Sequence, residues 1–478
     1  MTSLRPLLAL ASTIIIALST QASERYNVLL ISIDDLNDWT GSLGGHPQAN
    51  TPNIDRLAAD GILFENAHCQ APVCQPSRAS YMTSRYPSST GLYFLNPGIR
   101  SSPALEGSLT LPERFAKEGY KIMAGGKVFH STESEEILDP IGEYAGRMGG
   151  FGPIPEEKIS QPFGHPLWDW GVYPENDDEL PDYKVAKWAE KRLLEEHDQP
   201  FFMAVGFFRP HVPMYAPKKW FDQFPRDQVM LPEVKDDDRT DLPSYGENLT
   251  RLEHVSPPHQ WLVESGEWKH AVQAYLATTT FADYCLGIVL DALERSPHKD
   301  NTIIALVSDH GFHLGEKSHW AKRTLWEDGT RVPLIFAGPG VKPELRSNRS
   351  VGLIDLYPTL LELNGLDADP KHEGLSLMPL IEDPETKWNR PIRTTFGKGN
   401  HALRNQRWRY IRYADGSEEL YDHKNDPNEW DNLASNPEYS KIKRRLAKHL
   451  PTSEQPILGK GSTGHKALSA TEAALRKQ

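Results

Sequence analysis

Three short segments place carboxylates, a thiol and cations where they could act together on an anionic ester. Asp34-Asp35 ends one apolar run and Asp309-His310 ends another. Cys74-Gln75-Pro76-Ser77-Arg78 puts a thiol and a guanidinium about one helical turn apart. Carboxylate oxygens from Asp34, Asp35 and Asp309 suit a hard cation such as Ca²⁺ or Mg²⁺. Adjacent aspartates after a strand also serve as caps or turn residues, and Asp34-Asp35 alone would favour that reading. A second acidic ending on another strand shifts the balance toward a metal. Pro76 suits the first turn of a helix, so Cys74 is expected at a helix N-terminus, where backbone N–H groups and the dipole favour an anion. A free thiol is more often a buried packing residue. A cysteine-phosphatase loop is a further reading, but the spacing from Cys74 to Arg78 is too short for it.

Four basic residues join these segments. Lys127 and His130 are three apart and could equally form one face of a surface helix. His211 lies in Arg209-Pro210-His211-Val212-Pro213, and Lys322 follows Trp320-Ala321. Taken singly, each has a structural reading. The elements that would position them give the reason to group them.

Four apolar runs read as strands buried on both faces: 26–33, 201–205, 302–307 and 332–337. Helical patterns lie between them, at 183–195 and 273–294. This alternation predicts an α/β fold, a mixed, largely parallel sheet flanked by helices. Ligands collect beyond the carboxyl ends of such strands, where Asp34-Asp35, His211 and Asp309-His310 fall. From Ile392 onward the runs are shorter, and Asp415-Gly416 between two of them signals a hairpin. The expected layout is a leader over 1–22, a catalytic domain over 23–380, and a smaller C-terminal α+β subdomain with an antiparallel sheet over 381–478. Its tail from Thr452 to Gln478 reads as loosely ordered. No internal repeat is visible.

The bulk numbers bound the rest. The chain has 478 residues, 38% hydrophobic and 24% charged, as in a soluble globular protein with a sizeable core. A formal net charge of -13 disfavours nucleic acid as a partner, while leaving room for a local basic pocket. Arg5, the apolar run from Leu7 to Leu18 and Thr20-Gln21-Ala22 form a secretory signal pattern, too short for a membrane span. This predicts an exported protein, periplasmic or secreted, with no stable membrane insertion after cleavage. Three cysteines, Cys69, Cys74 and Cys285, allow at most one bridge. The remaining thiol needs a chemical reason.

Cys74-x-Pro76-Ser77-Arg78 resembles the signature of the type I sulfatases. The chain looks most like the iduronate-2-sulfatase branch through Asn27–Leu36, Thr51–Asp55, Gly125–His130, Ala204–Pro213 and Ser308 through Lys322. Glu419-Leu420-Tyr421-Asp422 through Leu433 is similar to a common sulfatase C-terminal pattern. The resemblance spans about Tyr26 to Leu433. It implies an alkaline-phosphatase-like fold and conversion of Cys74 to Cα-formylglycine by a maturation enzyme. It implies Ca²⁺ on Asp34, Asp35, modified Cys74, Asp309 and His310, with Arg78 beside the formylglycine. It places Lys127, His130, His211 and Lys322 on the sulfate or the leaving oxygen. One departure stands out: Met82-Thr83-Ser84-Arg85 replaces the usual Leu-Thr-Gly-Arg.

The physics agrees with those roles. Cations must meet the charge developing on sulfate oxygens. A hydrated aldehyde offers one hydroxyl to attack sulfur, with Asp35 assisting its deprotonation, and a second hydroxyl that lets sulfate leave. His211 is the favoured acid for the ester oxygen. The implied substrate is a sulfated oligo- or polysaccharide, a 2-O-sulfated uronic acid foremost. Trp168-Asp169-Trp170 and Lys398-Gly399-Asn400-His401 are candidate pocket segments. The alternatives are a phosphatase or phosphonate hydrolase of the same superfamily, a choline or aryl sulfatase, and a non-catalytic glycan-binding protein.

Overall fold

The structure is a computed structural model that describes residues 25–162, 166–251 and 255–475. The segment read as a leader, residues 1–22, lies outside the described residues. Eight strands form the main sheet: β1 (Asn27–Ile33), β2 (Gly61–Phe64), β3 (Lys121–Gly126), β4 (Gly142–Tyr144), β5 (Phe201–Phe207), β6 (Thr302–Ser308), β7 (Leu334–Ala337) and β8 (Leu345–Ser347). Their order is β8-β2-β7-β6-β1-β5-β3-β4. From β6 to β4 the neighbours run parallel. β7 runs antiparallel to both β6 and β2, and β8 pairs parallel with β2. The expected mixed, largely parallel sheet is therefore present.

Side chains along the central strands alternate between two cores. Leu29, Ile31 and Ile33 join Met203, Val205 and Phe207 on one face. Val28 and Leu30 join Phe202 and Ala204 on the other. A strand covered on both faces needs apolar residues at every position, which is why β1 and β5 read as continuous runs. The first face is covered by helices α2 (Pro181–Leu193) and α3 (Trp268–Glu294), the second by α1 (Cys74–Thr83) and α4 (Leu356–Leu363). Val185, Ala186, Ala189 and Leu193 form the buried stripe of α2, at the spacing of one helical face. α3 is long and apolar enough to cross a membrane, but its most apolar stretch is 83% buried in the protein, so it packs as a core helix. Each large side chain buried here contributes roughly 1.5–3 kcal/mol.

The C-terminal meander is β9 (Ile392–Thr395), β10 (His401–Arg404), β11 (Trp408–Arg412) and β12 (Glu418–Asp422), antiparallel throughout. Gly416 takes the left-handed backbone, φ 88°, that the turn between β11 and β12 requires. The segment read as a loosely ordered tail carries one helix. Thr463–Leu475 forms helix α5, and Leu468 is buried in a cluster with Phe94, Tyr245 and Tyr413. Alanine-rich spacing around one apolar anchor gives a helix that composition alone reads as polar coil. Cys69, Cys74 and Cys285 are all buried and unpaired.

Candidate active site

Register sets the site. Ile33 pairs with Ser308 on one side and Phe207 on the other, so the chain leaves β1, β6 and β5 at one level. Asp34 and Asp35 follow β1, Asp309 and His310 follow β6, and the loop bearing His211 follows β5. Asp35 has φ 64°, a conformation that costs a non-glycine residue about 1 kcal/mol or more. Tyr275 on α3 holds that turn: its hydroxyl donates to the Asp35 carbonyl at 2.7 Å and accepts from the Asn37 N–H at 2.9 Å. The Asp35 N–H donates to Asp309 Oδ1 at 3.1 Å.

Lys127 enters at the end of β3 because Gly126 turns there at φ 79°, where a Cβ would lie 2.0 Å from the Gly206 carbonyl oxygen. The Lys127 ammonium pairs with Asp34. α1 begins at Cys74, with Val73 extended at its N-cap, and all ten of its residues are buried. Cys74 Sγ lies 3.2 Å from His310 Nε2, 3.3 Å from Lys322 Nζ and 3.8 Å from Lys127 Nζ. Lys322 Nζ also reaches Asp35 Oδ1 at 2.5 Å. Arg78, fully buried, spans the two acidic strand ends: Nη2 to Asp34 Oδ1 at 3.2 Å and Nε to Asp309 Oδ2 at 3.0 Å. Its remaining donors go to the carbonyls of Lys127 and Val128, so Arg78 braces the aspartates.

The helix also accounts for Ser84. It stands at the C-terminus of α1 at φ 52°, where glycine is favoured. Its hydroxyl offsets the strain by donating to the Ile354 carbonyl at 2.9 Å and accepting from the Gly374 N–H at 3.1 Å.

Burial dominates the electrostatics. It pushes the Cys74 thiol up to about 12, against the opposing pull of Lys127 and Lys322. Burial would raise Asp34, but Lys127, then His211 and Arg78, hold its carboxyl well below the usual range. Burial raises Asp35 despite Lys322 and His310. Burial drives His130 down to about 3, with Lys127 adding to the effect. His310 directs Nδ1 at the Gly311 carbonyl, 3.0 Å away, which leaves Nε2 free to ligate. His211 likewise directs Nδ1 at the Val212 carbonyl, 2.6 Å away, with Nε2 3.9 Å from Asp35 Oδ2.

These groups open onto a cavity of about 290 Å³ whose lining includes Asp35, Cys74, His130, His211 and Lys322. Trp168 lines it too, whereas Asp169 accepts hydrogen bonds from Ile159, Ser160 and Tyr215. Lys398–His401 does not line this cavity: it lies at the β9–β10 turn, where Asn400 bonds the Phe396 carbonyl and His401 bonds Thr395. Sequence reasoning missed Arg147, Phe151, Arg323 and Thr463 in the lining. Arg323, directly after Lys322, was the one with a positional hint.

Donor atoms of Asp34, Asp35, Cys74 and His310 lie within 4.8 Å of one another and can hold a metal ion. Asp309 adjoins them, its Oδ1 3.6 Å from His310 Nε2. Asp35 Oδ2 is buried with no hydrogen-bond partner, an arrangement that a cation would complete. Three carboxylates and one imidazole suit a hard divalent ion such as Ca²⁺.

A largely parallel sheet whose strand ends gather carboxylates, lysines and a cysteine at the first position of a helix defines an alkaline-phosphatase-like hydrolase of anionic esters. The model of the sulfatase family matches residues 26–366, and that of the C-terminal region of N-sulphoglucosamine sulphohydrolase matches 315–455. The chain belongs to the sulfatase family and is a sulfuric ester hydrolase. It is 43% identical over 428 residues to a sulfatase of Formosa agariphila, covering 86% of this chain and 84% of that one. It is 32% identical to human iduronate 2-sulfatase, covering 75% and 74%, and 28% identical to the delta 4,5-hexuronate-2-O-sulfatase of Bacteroides thetaiotaomicron, covering 90% and 88%. The fold matches that of a solved 2-O GAG sulfatase with a TM-score of 0.69 at 23% identity, over 95% of this chain and 94% of that one.

Proposed function

We propose that this sulfatase acts on sulfated glycans, with the 2-O-sulfate of a uronic acid as its preferred ester, after Cys74 becomes Cα-formylglycine. The observation that supports this most is the seat of Cys74. Its sulfur lies 3.2–3.8 Å from His310, Lys322 and Lys127. An unmodified thiol pushed up to about 12 is a poor nucleophile near neutral pH. The names of the two uronate-directed relatives support the substrate class.

Once hydrated, the aldehyde at position 74 would offer one hydroxyl to attack sulfur and displace the alcohol, and a second whose deprotonation would expel sulfate and restore the aldehyde. Lys127 and Lys322 flank the sulfate and stabilise charge on its oxygens. Asp35, beside Cys74 with Oδ2 unpartnered, accepts the proton from the attacking group. His211 presents Nε2 to the cavity; burial and then Lys322 hold its imidazole well below the ordinary range, so it would donate to the ester oxygen only in the imidazolium form that a dianionic substrate stabilises. Asp34, Asp35, modified Cys74, Asp309 and His310 would hold Ca²⁺, which when bound would add positive charge at the sulfate. His130 lines the sulfate side beside Lys127. A formylglycine-generating enzyme is the required partner, and the Leu7–Leu18 run supports export.

The test is sulfate release from 2-O-sulfated uronate disaccharides by protein made with a maturation enzyme, with Cys74→Ala as control. The matured peptide should weigh about 18 Da less than its cysteine form, as expected for a thiol converted to an aldehyde. Release that vanishes in Cys74→Ala supports the reading. Converted Cys74 without release overturns the uronate substrate, and full activity with unconverted Cys74 overturns the mechanism. Turnover of phosphate monoesters in place of sulfate esters would favour the phosphatase alternative.

A further inference from the structure

We propose that Arg323, assisted by Arg147, forms a second anion subsite in the active-site cavity, for a carboxylate or second sulfate next to the scissile ester. The proposal rests on the glycan reading above and names what else that glycan must carry.

Among the described residues, fully buried Arg209 has no carboxylate partner but gives Nε and Nη2 to the carbonyls of Tyr215 and Phe151, and other buried guanidinium groups elsewhere in the protein have carboxylate partners. Arg78 pairs with Asp34 and Asp309, and Arg404 and Arg409 pair with Glu327. Arg323 is equally enclosed, 5% exposed, yet its Nε and Nη1 are buried with no hydrogen-bond partner. Among the described residues, no carboxylate forms an ion pair with it. A buried cation without a partner is costly, so an arrangement that keeps one beside the nucleophile points to an anionic ligand. The neighbouring Lys322 differs, since Asp35 already engages it.

Arg323 is also fixed in place. Its backbone is left-handed at φ 78°, a strained conformation of the kind found at functional sites. Its N–H donates to the Pro72 carbonyl at 3.1 Å, tying it to the loop that leads into Cys74. Arg147 lines the same cavity. Its guanidinium carbon lies 5.0 Å from the Phe208 ring centre and 5.7 Å from that of Phe151. Its Nη1 is likewise buried and unpartnered. Guanidinium donors match the planar oxygens of a carboxylate or those of a sulfate. Lys127 and Lys322 serve the scissile sulfate, leaving the two arginines for a second anion.

The test compares matured wild type with Arg323→Gln and Arg323→Lys on two substrate pairs. One pair is a 2-O-sulfated uronate disaccharide and its carboxyl methyl ester. The other is a disulfated amino sugar and its monosulfated counterpart. Sulfate release from any of the four by wild type tests the glycan reading by itself. The subsite is read from a ratio, kcat/KM for the more anionic member over the less anionic one. Wild type should favour the more anionic member at least about tenfold, the order of one charge-assisted contact, and Arg323→Gln should bring that ratio near one. Collapse confined to the uronate pair assigns a carboxylate, and collapse confined to the amino-sugar pair assigns a second sulfate. Arg323→Lys should keep part of the preference. A variant that melts like wild type and loses rate equally on both members of each pair overturns the subsite, as does a wild type with no preference in either pair.

Discussion

Lys322 Nζ stands 2.5 Å from Asp35 Oδ1 and 3.3 Å from Cys74 Sγ, so one ammonium touches both a carboxylate of the candidate cation site and Cys74. In the proposed mechanism Lys322 stabilises the sulfate oxygens, so Lys322→Met should lower kcat about 10²–10³-fold, as loss of one oxyanion contact does. It also leaves Asp35 buried without its cation partner, a change that typically costs about 3–5 kcal/mol. Ca²⁺ would compensate Asp35, so the stability loss should be large in chelator and small in millimolar Ca²⁺. Thermal melts of wild type and Lys322→Met, each with EDTA and with Ca²⁺, check this. Equal destabilisation in both buffers would remove Asp35 from the cation site.

Much of this arrangement was legible in the sequence. Asp34-Asp35 and Asp309-His310 each end an apolar run, and parallel strands in register bring such endings together. Cys74 could be placed at a helix start because Pro76 fits the first turn. Arg323 adjoins Lys322 in sequence, but that it and Arg147 lack carboxylate partners was not legible. Their isolation depends on which carboxylates surround them after folding, and nothing local in the chain reports that. Trp168 entered the cavity while Lys398–His401 did not, since both were singled out by composition, which carries no information on facing. The α5 helix buries Gly464, Leu468 and Thr471 on one face, but only Leu468 of these is a large apolar residue, so hydropathy shows no periodic pattern there.

Ser84 holds a left-handed C-terminal position that favours glycine, and two hydrogen bonds offset the strain. Ser84→Ala keeps the strain and strands the buried Gly374 N–H, so it should destabilise by about 1–3 kcal/mol. Ser84→Gly loses the same bonds but relieves strain of about 1 kcal/mol, so it should fall between Ala and wild type. Urea unfolding of the three proteins gives the order. Glycine as unstable as alanine would show that the left-handed backbone carries no penalty here.

Asp182 accepts the N–H groups of Phe208 and Arg209, at 2.7 and 2.9 Å, and so shapes the approach to His211. Burial raises it from 3.8 to about 6, against the opposing effect of Arg209. The folded protein therefore holds this proton more tightly than the unfolded chain. The associated stability is full below about pH 4, declines between about 4 and 6, and is lost above, a difference of about 3 kcal/mol. Asp182→Asn cannot titrate, so this component of the pH dependence should vanish from its melts. The amide should also misplace one backbone donor and raise the KM that depends on the His211 loop. An unchanged slope between pH 4 and 6 would show that Asp182 is ionised throughout.

The α5 helix joins the tail to the active site, because Thr463 lines the cavity while Leu468 is buried with Phe94 and Tyr245. Leu468→Ser removes the helix's apolar anchor, worth about 2–3 kcal/mol by area. The helix lies outside the two cores of the main sheet, so the loss should release α5 locally and leave the sheet folded. Hydrogen exchange should then show protection lost over 463–475 and retained in β1, β5 and β6. Freed from α5, the cavity wall at Thr463 would be open, and KM for a glycan substrate should rise several-fold with kcat little altered, the sign of lost uniform binding. A fall in kcat with KM unchanged would instead place the tail in the geometry of the reacting groups.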